Sequence, residues 1–163
     1  MNVTGSRLLK ARREAVFAAI CDPEALLEVI PGCQEINRVG DTEYQGKLSI
    51  RLPAIVGSYA TTVRLAAADP PAFGRLEGRV DGAAGSISGS ATFRLTEEGD
   101  ETVVDYEGQG TVLGPLARLD SRFVEGIARS LINEGLARLD RRLQATTSDG
   151  EAQATRPRLE TRS

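Results

Sequence analysis

Four stretches of this chain alternate apolar and polar residues with period two, and in each the apolar register falls on very small residues. Tyr44, Gly46, Leu48, Ile50 and Leu52 form one such register, and Leu76, Gly78 and Val80 another. Ile87, Gly89, Ala91, Phe93 and Leu95 form a third, and Val104, Tyr106, Gly108, Gly110 and Val112 a fourth. Strict alternation marks half-buried strands with one dry face and one wet face. Glycine inside a strand forgoes side-chain packing, and it marks a bend or a close approach. A sheet that does this repeatedly on its dry face either curls sharply or surrounds a hollow. Bending accounts for any single glycine. A hollow is the better account of Gly46, Gly78, Gly89 and Gly108 together, because all share the inward register.

At 163 residues the chain fits one domain with a short tail, with boundaries expected at 1–143 and 144–163. Aromatic residues make up 4% and Trp is absent, so Leu, Val, Ile and Ala must build the core. A net charge of −3 gives no broad basic field, and no nucleic acid partner is expected. Histidine is absent, which removes the commonest general base and the commonest metal ligand. Cys21 and Cys33 are too few for a disulfide framework and read as small buried hydrophobes. No charged segment followed by an apolar run opens the chain, and no run approaches the roughly 18–20 residues of a membrane span. A cytoplasmic location is therefore expected.

Val3–Leu9 reads as a strand and Arg12–Ile20 as a helix. Asp22 before Pro23 is a helix start, and the short helix Glu24–Val29 stops at Ile30, Pro31 and Gly32. Strands then follow at Ile36–Val39, Glu43–Leu52, Ser58–Ala67, Gly74–Val80, Ser86–Thr96 and Thr102–Val112. Gly114 and Pro115 open a long helical pattern, Leu116–Leu143, after which the chain turns polar and loses periodicity. The order predicts an α+β fold: a bent antiparallel sheet of seven strands wrapped around the final helix, with two short helices after the first strand.

That order resembles the helix-grip fold of START-like (SRPBCC) domains. Local stretches narrow it: Val3–Ser6, Asp22–Leu26, Ile30–Cys33, Gly89–Leu95 and the helix opening at Gly114. Together they resemble the CoxG-like family, named for the CoxG subunit of carbon monoxide dehydrogenase, over about residues 1 to 143. The resemblance implies a non-catalytic accessory protein with an apolar cavity. It implies partnership with a molybdenum hydroxylase such as CO dehydrogenase, and a link to the membrane or its quinone pool. Peripheral contact at the inner face of the membrane would follow. Some members carry a long membrane-binding C-terminal segment. Here Leu159 is the one large apolar residue between Gln144 and Ser163, so a loop near Pro53–Val56, with Ile55 and Val56 at its tip, is the expected membrane contact.

The expected cavity walls are Leu48, Ile50, Tyr59, Val63, Leu65, Leu76, Gly78, Gly89, Ala91, Phe93, Tyr106 and Gly108. The helix would close the space with Leu116, Leu119, Phe123, Ile127 and Leu131. Such walls suit a hydrophobic small molecule, a lipid or a quinone. The hydroxyls of Tyr59 and Tyr106 are candidates to meet a ligand carbonyl, or to reach the rim. Ile30, Pro31 and Gly32 form a candidate gate. No catalytic residue, metal site or bound cofactor is expected beyond that ligand. The alternative is a START-like cyclase or dehydratase acting on a hydrophobic substrate, with the tyrosines and Glu134 as its acid-base groups.

Overall fold

The computed structural model describes residues 1–52 and 55–160, with side chains up to Thr146. The strands are β1 (Asn2–Leu9), β2 (Cys33–Arg38), β3 (Glu43–Ile50), β4 (Gly57–Asp69), β5 (Phe73–Gly82), β6 (Gly85–Glu98) and β7 (Glu101–Leu113). Two short helices, α1 (Arg13–Ile20) and α2 (Pro23–Val29), follow β1. A 3-10 turn, Gly114–Arg118, leads into the long helix α3, Ser121–Glu160. The seven strands form one antiparallel sheet in the order β1-β7-β6-β5-β4-β3-β2. This is the α+β helix-grip architecture that the sequence predicts.

The short helices stand where their caps put them. The Asp22 carboxylate accepts the Glu24 N–H at 3.0 Å, and Pro23 occupies the first turn. The helix ends at Ile30, whose ψ of 118° obeys the restriction imposed by Pro31. Gly32 then takes φ +76°, and a Cβ there would strike the Ser49 carbonyl of β3.

The glycines of the dry face share one register, as expected. Gly78 opposes Gly89, and Gly89 opposes Gly110, in a row running across β5, β6 and β7. Their role differs from the expectation at two positions. A Cβ on Gly89 would collide with the Gln109 carbonyl and lie 2.8 Å from the Gly110 Cα. A Cβ on Gly46 would collide with the Glu35 carbonyl, beside the register slip between Cys33 and Glu35. Neighbouring backbone fills both positions, so these glycines curl the sheet rather than line a space.

The final helix departs from the expected Leu116–Leu143. Leu119 is extended (φ −74°, ψ 153°) and separates the 3-10 turn from α3. Asp120 restarts the helix: its carboxylate accepts the Arg122 N–H at 2.8 Å and its carbonyl the Val124 N–H at 3.2 Å. This restart turns Phe123 outward, 46% exposed, and turns Val124 inward. The backbone of α3 runs without a break past Leu143 to Glu160. The side chains expected as a polar tail lie outside the described residues beyond Thr146, as does the whole of residues 161–163.

Two carboxylates tie α3 along the open edge of β1. Glu125 accepts the Asn2 N–H at 3.2 Å and Asp140 accepts the Lys10 N–H at 2.9 Å. Both receive backbone donors that an edge strand otherwise leaves unpaired.

Most of the buried apolar residues fall into two clusters, not one. The larger joins Leu9, Val16, Phe17, Ala25, Val29, Phe93, Leu95, Val104, Leu139 and Leu143 beneath α1 and α2. The smaller joins Ile55, Tyr59 and Leu116 at the other end of the sheet. Thr102, fully buried, donates its hydroxyl to the Ala11 carbonyl at 2.7 Å and locks the chain entering α1.

Replacing Asp120 by Ala should lower stability by about 1 kcal/mol in urea unfolding, as loss of an N-cap does. Thr102→Val should cost about 1–3 kcal/mol, because it leaves the buried Ala11 carbonyl without its donor.

Candidate functional site

Between the two clusters the sheet and α3 stand apart, bridged at the rim by the hydrogen bond from Tyr106 to Asn133. Two adjoining lobes occupy that space, of about 380 Å³ and about 210 Å³. Leu48, Ile50 and Leu131 line both, so the lobes meet at a waist formed by β3 and the middle of α3. The larger lobe is walled by Leu76, Phe93, Val104 and Tyr106 of the sheet. Ala19, Ile20, Leu26, Val29, Ile30 and Pro31 close one side of it, and Ile132, Gly135, Leu136 and Leu139 of α3 form the roof. The smaller lobe is walled by Met1, Ile55, Tyr59, Val80, Ile87, Leu116, Val124, Ile127 and Ala128. Leu48, Ile50, Leu76 and Val80 stay half-buried although they face the helix, and so does Ile127 of α3 although it faces the sheet. Among the described residues no side chain completes their cover.

The walls offer almost no free hydrogen-bonding group. Tyr59 donates its hydroxyl to the Ile55 carbonyl at 3.0 Å, and burial pushes its pKa up. Tyr106 reaches out of the larger lobe to the Asn133 side-chain oxygen at 3.3 Å, on the exposed face of α3. Tyr44 donates to the Cys21 carbonyl at 2.7 Å. Each phenol therefore donates to the protein, and Tyr106 takes the rim position, one of its two expected placements.

Of the expected wall residues, Leu48, Ile50, Tyr59, Leu76, Phe93, Tyr106, Leu116, Ile127 and Leu131 stand around the two lobes. The others lie elsewhere. Gly89 is closed by the backbone of β7, and Gly78 packs beside Val63 and the Thr62 carbonyl. Gly108 sits against Ala91. Leu65, Ala91 and Gly108 share the row of Leu76 but border neither lobe. Val63 opposes Tyr44, whose buried ring fills that part of the face. Leu119 lies in the extended link and packs beside the Leu116 cluster, and Phe123 faces water. Ile55, expected at a loop tip, is buried against Tyr59 and Leu116. Among the walls the sequence reading missed are Val124, Ala128 and Leu139. The first two sit four residues apart on the stripe of Ile127 and Leu131, and Asp120 next to Ser121 carries the capping signal that sets the helix phase.

The three residues of the candidate gate lie at one side of the larger lobe. Ile30 and Pro31 border the larger lobe, while Gly32 shapes the turn behind them. Three groups fasten this flap. Glu28 of α2 pairs with Arg142 of α3. The Arg38 guanidinium donates to the Cys21 carbonyl at 2.8 Å, and the Ser49 N–H donates to the Gly32 carbonyl at 2.8 Å. Opposite Pro31 stands Gly135, where a Cβ would meet the Val29 carbonyl at 3.5 Å.

Neither thiol is set up as a nucleophile. Burial pushes the Cys21 thiol up, with Arg38 opposing, and burial also pushes up the Cys33 thiol, which donates to the Glu35 carbonyl. Glu134 is exposed and paired with Arg138 at 2.7 Å, outside both lobes. Among the described residues no helix is long and apolar enough to cross a membrane.

A family model for the CoxG subunit of carbon monoxide dehydrogenase matches residues 5–144. No curated protein matches the chain in sequence. A conserved protein from Geobacillus kaustophilus superposes with a TM-score of 0.86 at 25% identity, over 90% of this chain and 97% of that one. A START superfamily protein from Mycobacterium smegmatis gives 0.71 at 12% identity, over 89% and 98%. A protein from Chromobacterium violaceum gives 0.66 at 20% identity, over 85% and 94%. The last two likenesses concern the fold alone.

The hollow and the core should respond differently to truncation. Leu95→Ala, at 2% exposure, should cost about 2–5 kcal/mol in urea unfolding. Leu48→Ala should cost well under half as much, because its side chain already borders empty space.

Proposed function

The chain belongs to the CoxG family of carbon monoxide dehydrogenase, and on that premise we propose that it carries a hydrophobic molecule between its sheet and α3. In this capacity it is a non-catalytic accessory protein. It links a molybdenum hydroxylase such as CO dehydrogenase to the membrane or its quinone pool. The observation that carries the proposal is the divided core: two apolar lobes meet at Leu48, Ile50 and Leu131, with no described side chain between them. A lipid or quinone would gain about 25 cal/mol for each Å² of apolar surface it buries there. Desolvation, not polar contact, would supply the affinity, since the tyrosine hydroxyls are already engaged. Ile30, Pro31 and Gly32 would act as the gate, with the Glu28–Arg142 pair as its fastening.

The groups a cyclase or dehydratase would need are turned away from the space. Glu134 is committed to Arg138 and Tyr106 to Asn133. A hollow without a free acid or base suits storage and transfer better than transformation.

Native mass spectrometry and organic extraction of the purified chain should reveal a bound lipid or quinone. Leu131→Trp, which fills the waist, should weaken uptake of a fluorescent apolar probe about tenfold, equivalent to roughly 1.4 kcal/mol. A chain that emerges empty, and that neither a quinone nor a lipid stabilises against heat, would overturn the proposal.

A further inference from the structure

Four arginines among the described residues are half-buried, and three of them pair with a carboxylate. Arg13 meets Glu97 at 3.5 Å, Arg138 meets Glu134 at 2.7 Å, and Arg142 meets Glu28. Arg7 is the fourth, and none of the described carboxylates pairs with it. Its Nε is buried and has no hydrogen-bond partner. A half-buried cation loses part of its hydration, and a counter-charge normally offsets that loss.

The surroundings of Arg7 show what that counter-charge would belong to. Val3, Gly5, Arg7 and Leu9 share the inner face of β1, and Val3 and Leu9 are buried. Arg7 opposes Val104 and Gly5 opposes Tyr106, and both partners wall the larger lobe. Gly5 stands about 7 Å from Arg7 along the strand. A Cβ on Gly5 would strike the Tyr106 hydroxyl, so the phenol lies across the strand at this point. That hydroxyl donates to the Asn133 side-chain oxygen, which leaves the Asn133 Nδ2 group as a second donor beside the strand. The carboxylates of α3 along β1 are engaged: Glu125 accepts the Asn2 N–H, and Asp140 accepts the Lys10 N–H and the Gln144 side chain. The β1 edge of an apolar lobe therefore carries a cation and an amide donor, with no anion for them among the described residues.

An apolar space with an unpaired cation at its edge has the polarity of an amphiphile, with room for a tail inside and an anionic head at the rim. The planar fork of arginine matches the oxygens of a carboxylate or a phosphate, whereas a neutral head would leave the charge uncompensated. We propose that Arg7 is the head-group subsite of this carrier. Its ligand is an amphiphile whose oxyanion head, a carboxylate or a phosphate, meets Arg7 while the tail lies in the larger lobe. The proposal rests on the carrier reading above and deepens it, favouring an acidic lipid over a neutral quinone. Desolvation of the tail supplies most of the affinity, and Arg7 selects the head and sets which end of the ligand points out.

Competition against a fluorescent apolar probe, with the full chain freed of lipid, tests this. Dodecanoate, dodecyl phosphate and dodecanol share one tail and differ in the head. The wild type should bind one or both anions at least about tenfold more tightly than the alcohol, a preference that falls as salt rises. Tighter binding of the phosphate would point to a phospholipid-type head, and of the carboxylate to a fatty acid. Arg7→Met, which keeps the apolar stem and removes the charge, should bring the three ligands to within about threefold of one another. Arg7→Lys should keep part of the preference, a rescue that a purely structural role would not show. A wild type indifferent to the head, or an Arg7→Met variant that keeps the preference, would overturn the subsite and leave the carrier standing. Refusal of the apolar probe as well would overturn the carrier, and the subsite with it.

Discussion

The helix α3 is pinned at two supports and stands off most of the sheet between them, and everything of functional interest follows from that. At one support Leu139 and Leu143 enter the larger cluster, and the Asp140 carboxylate takes the Lys10 N–H. At the other, Val124 is buried and Glu125 takes the Asn2 N–H. Both carboxylates bond to backbone donors at the edge of β1, so they fix the axis of the helix along the edge strand. The stretch between them, with Leu131 at its centre, spans the sheet like a beam. Side chains too short to reach across cannot collapse the gap while the ends are pinned.

The curl of the sheet complements that beam. Strand register sets which face a residue occupies, but curvature decides whether the face touches anything. Gly46 and Gly89 allow the neighbouring backbone to ride over them, and the register slips at Cys33/Glu35 and Leu65/Ala67 bend the strands further. The result separates two tasks that glycine could serve. Bending is done at the glycines, and the walls of the space are built from Leu, Ile and Val.

That separation explains what can be read from the sequence and what cannot. Strand existence and facing are legible because alternation and Gly/Pro punctuation are local signals, and Asp22–Pro23 announces its helix in two residues. Leu48, Ile50 and Leu131 follow from facing alone. The break at Leu119 is harder, because the apolar spacing continues across it from Leu116 to Phe123 while the backbone does not. A phase error of one position there exchanges Phe123 for Val124. The roles of Gly89 and Gly108 also lie beyond alternation, since a Cβ would strike backbone at the first and meet only ordinary contacts at the second. The direction of the Tyr106 hydroxyl depends on Asn133, which only the packing of α3 brings near.

The divided core has a calorimetric consequence. Apolar surface in contact with water contributes positively to heat capacity, by about 0.45 cal/K/mol for each Å². Most domains gain that contribution only on unfolding. Here Leu48, Ile50, Leu76, Val80 and Ile127 remain half-buried in the native chain, so part of the hydration heat capacity is already present before unfolding begins. The empty domain should therefore have a flatter stability curve than its size implies, and filling the space would restore the steeper curvature of a protein with a single continuous interior.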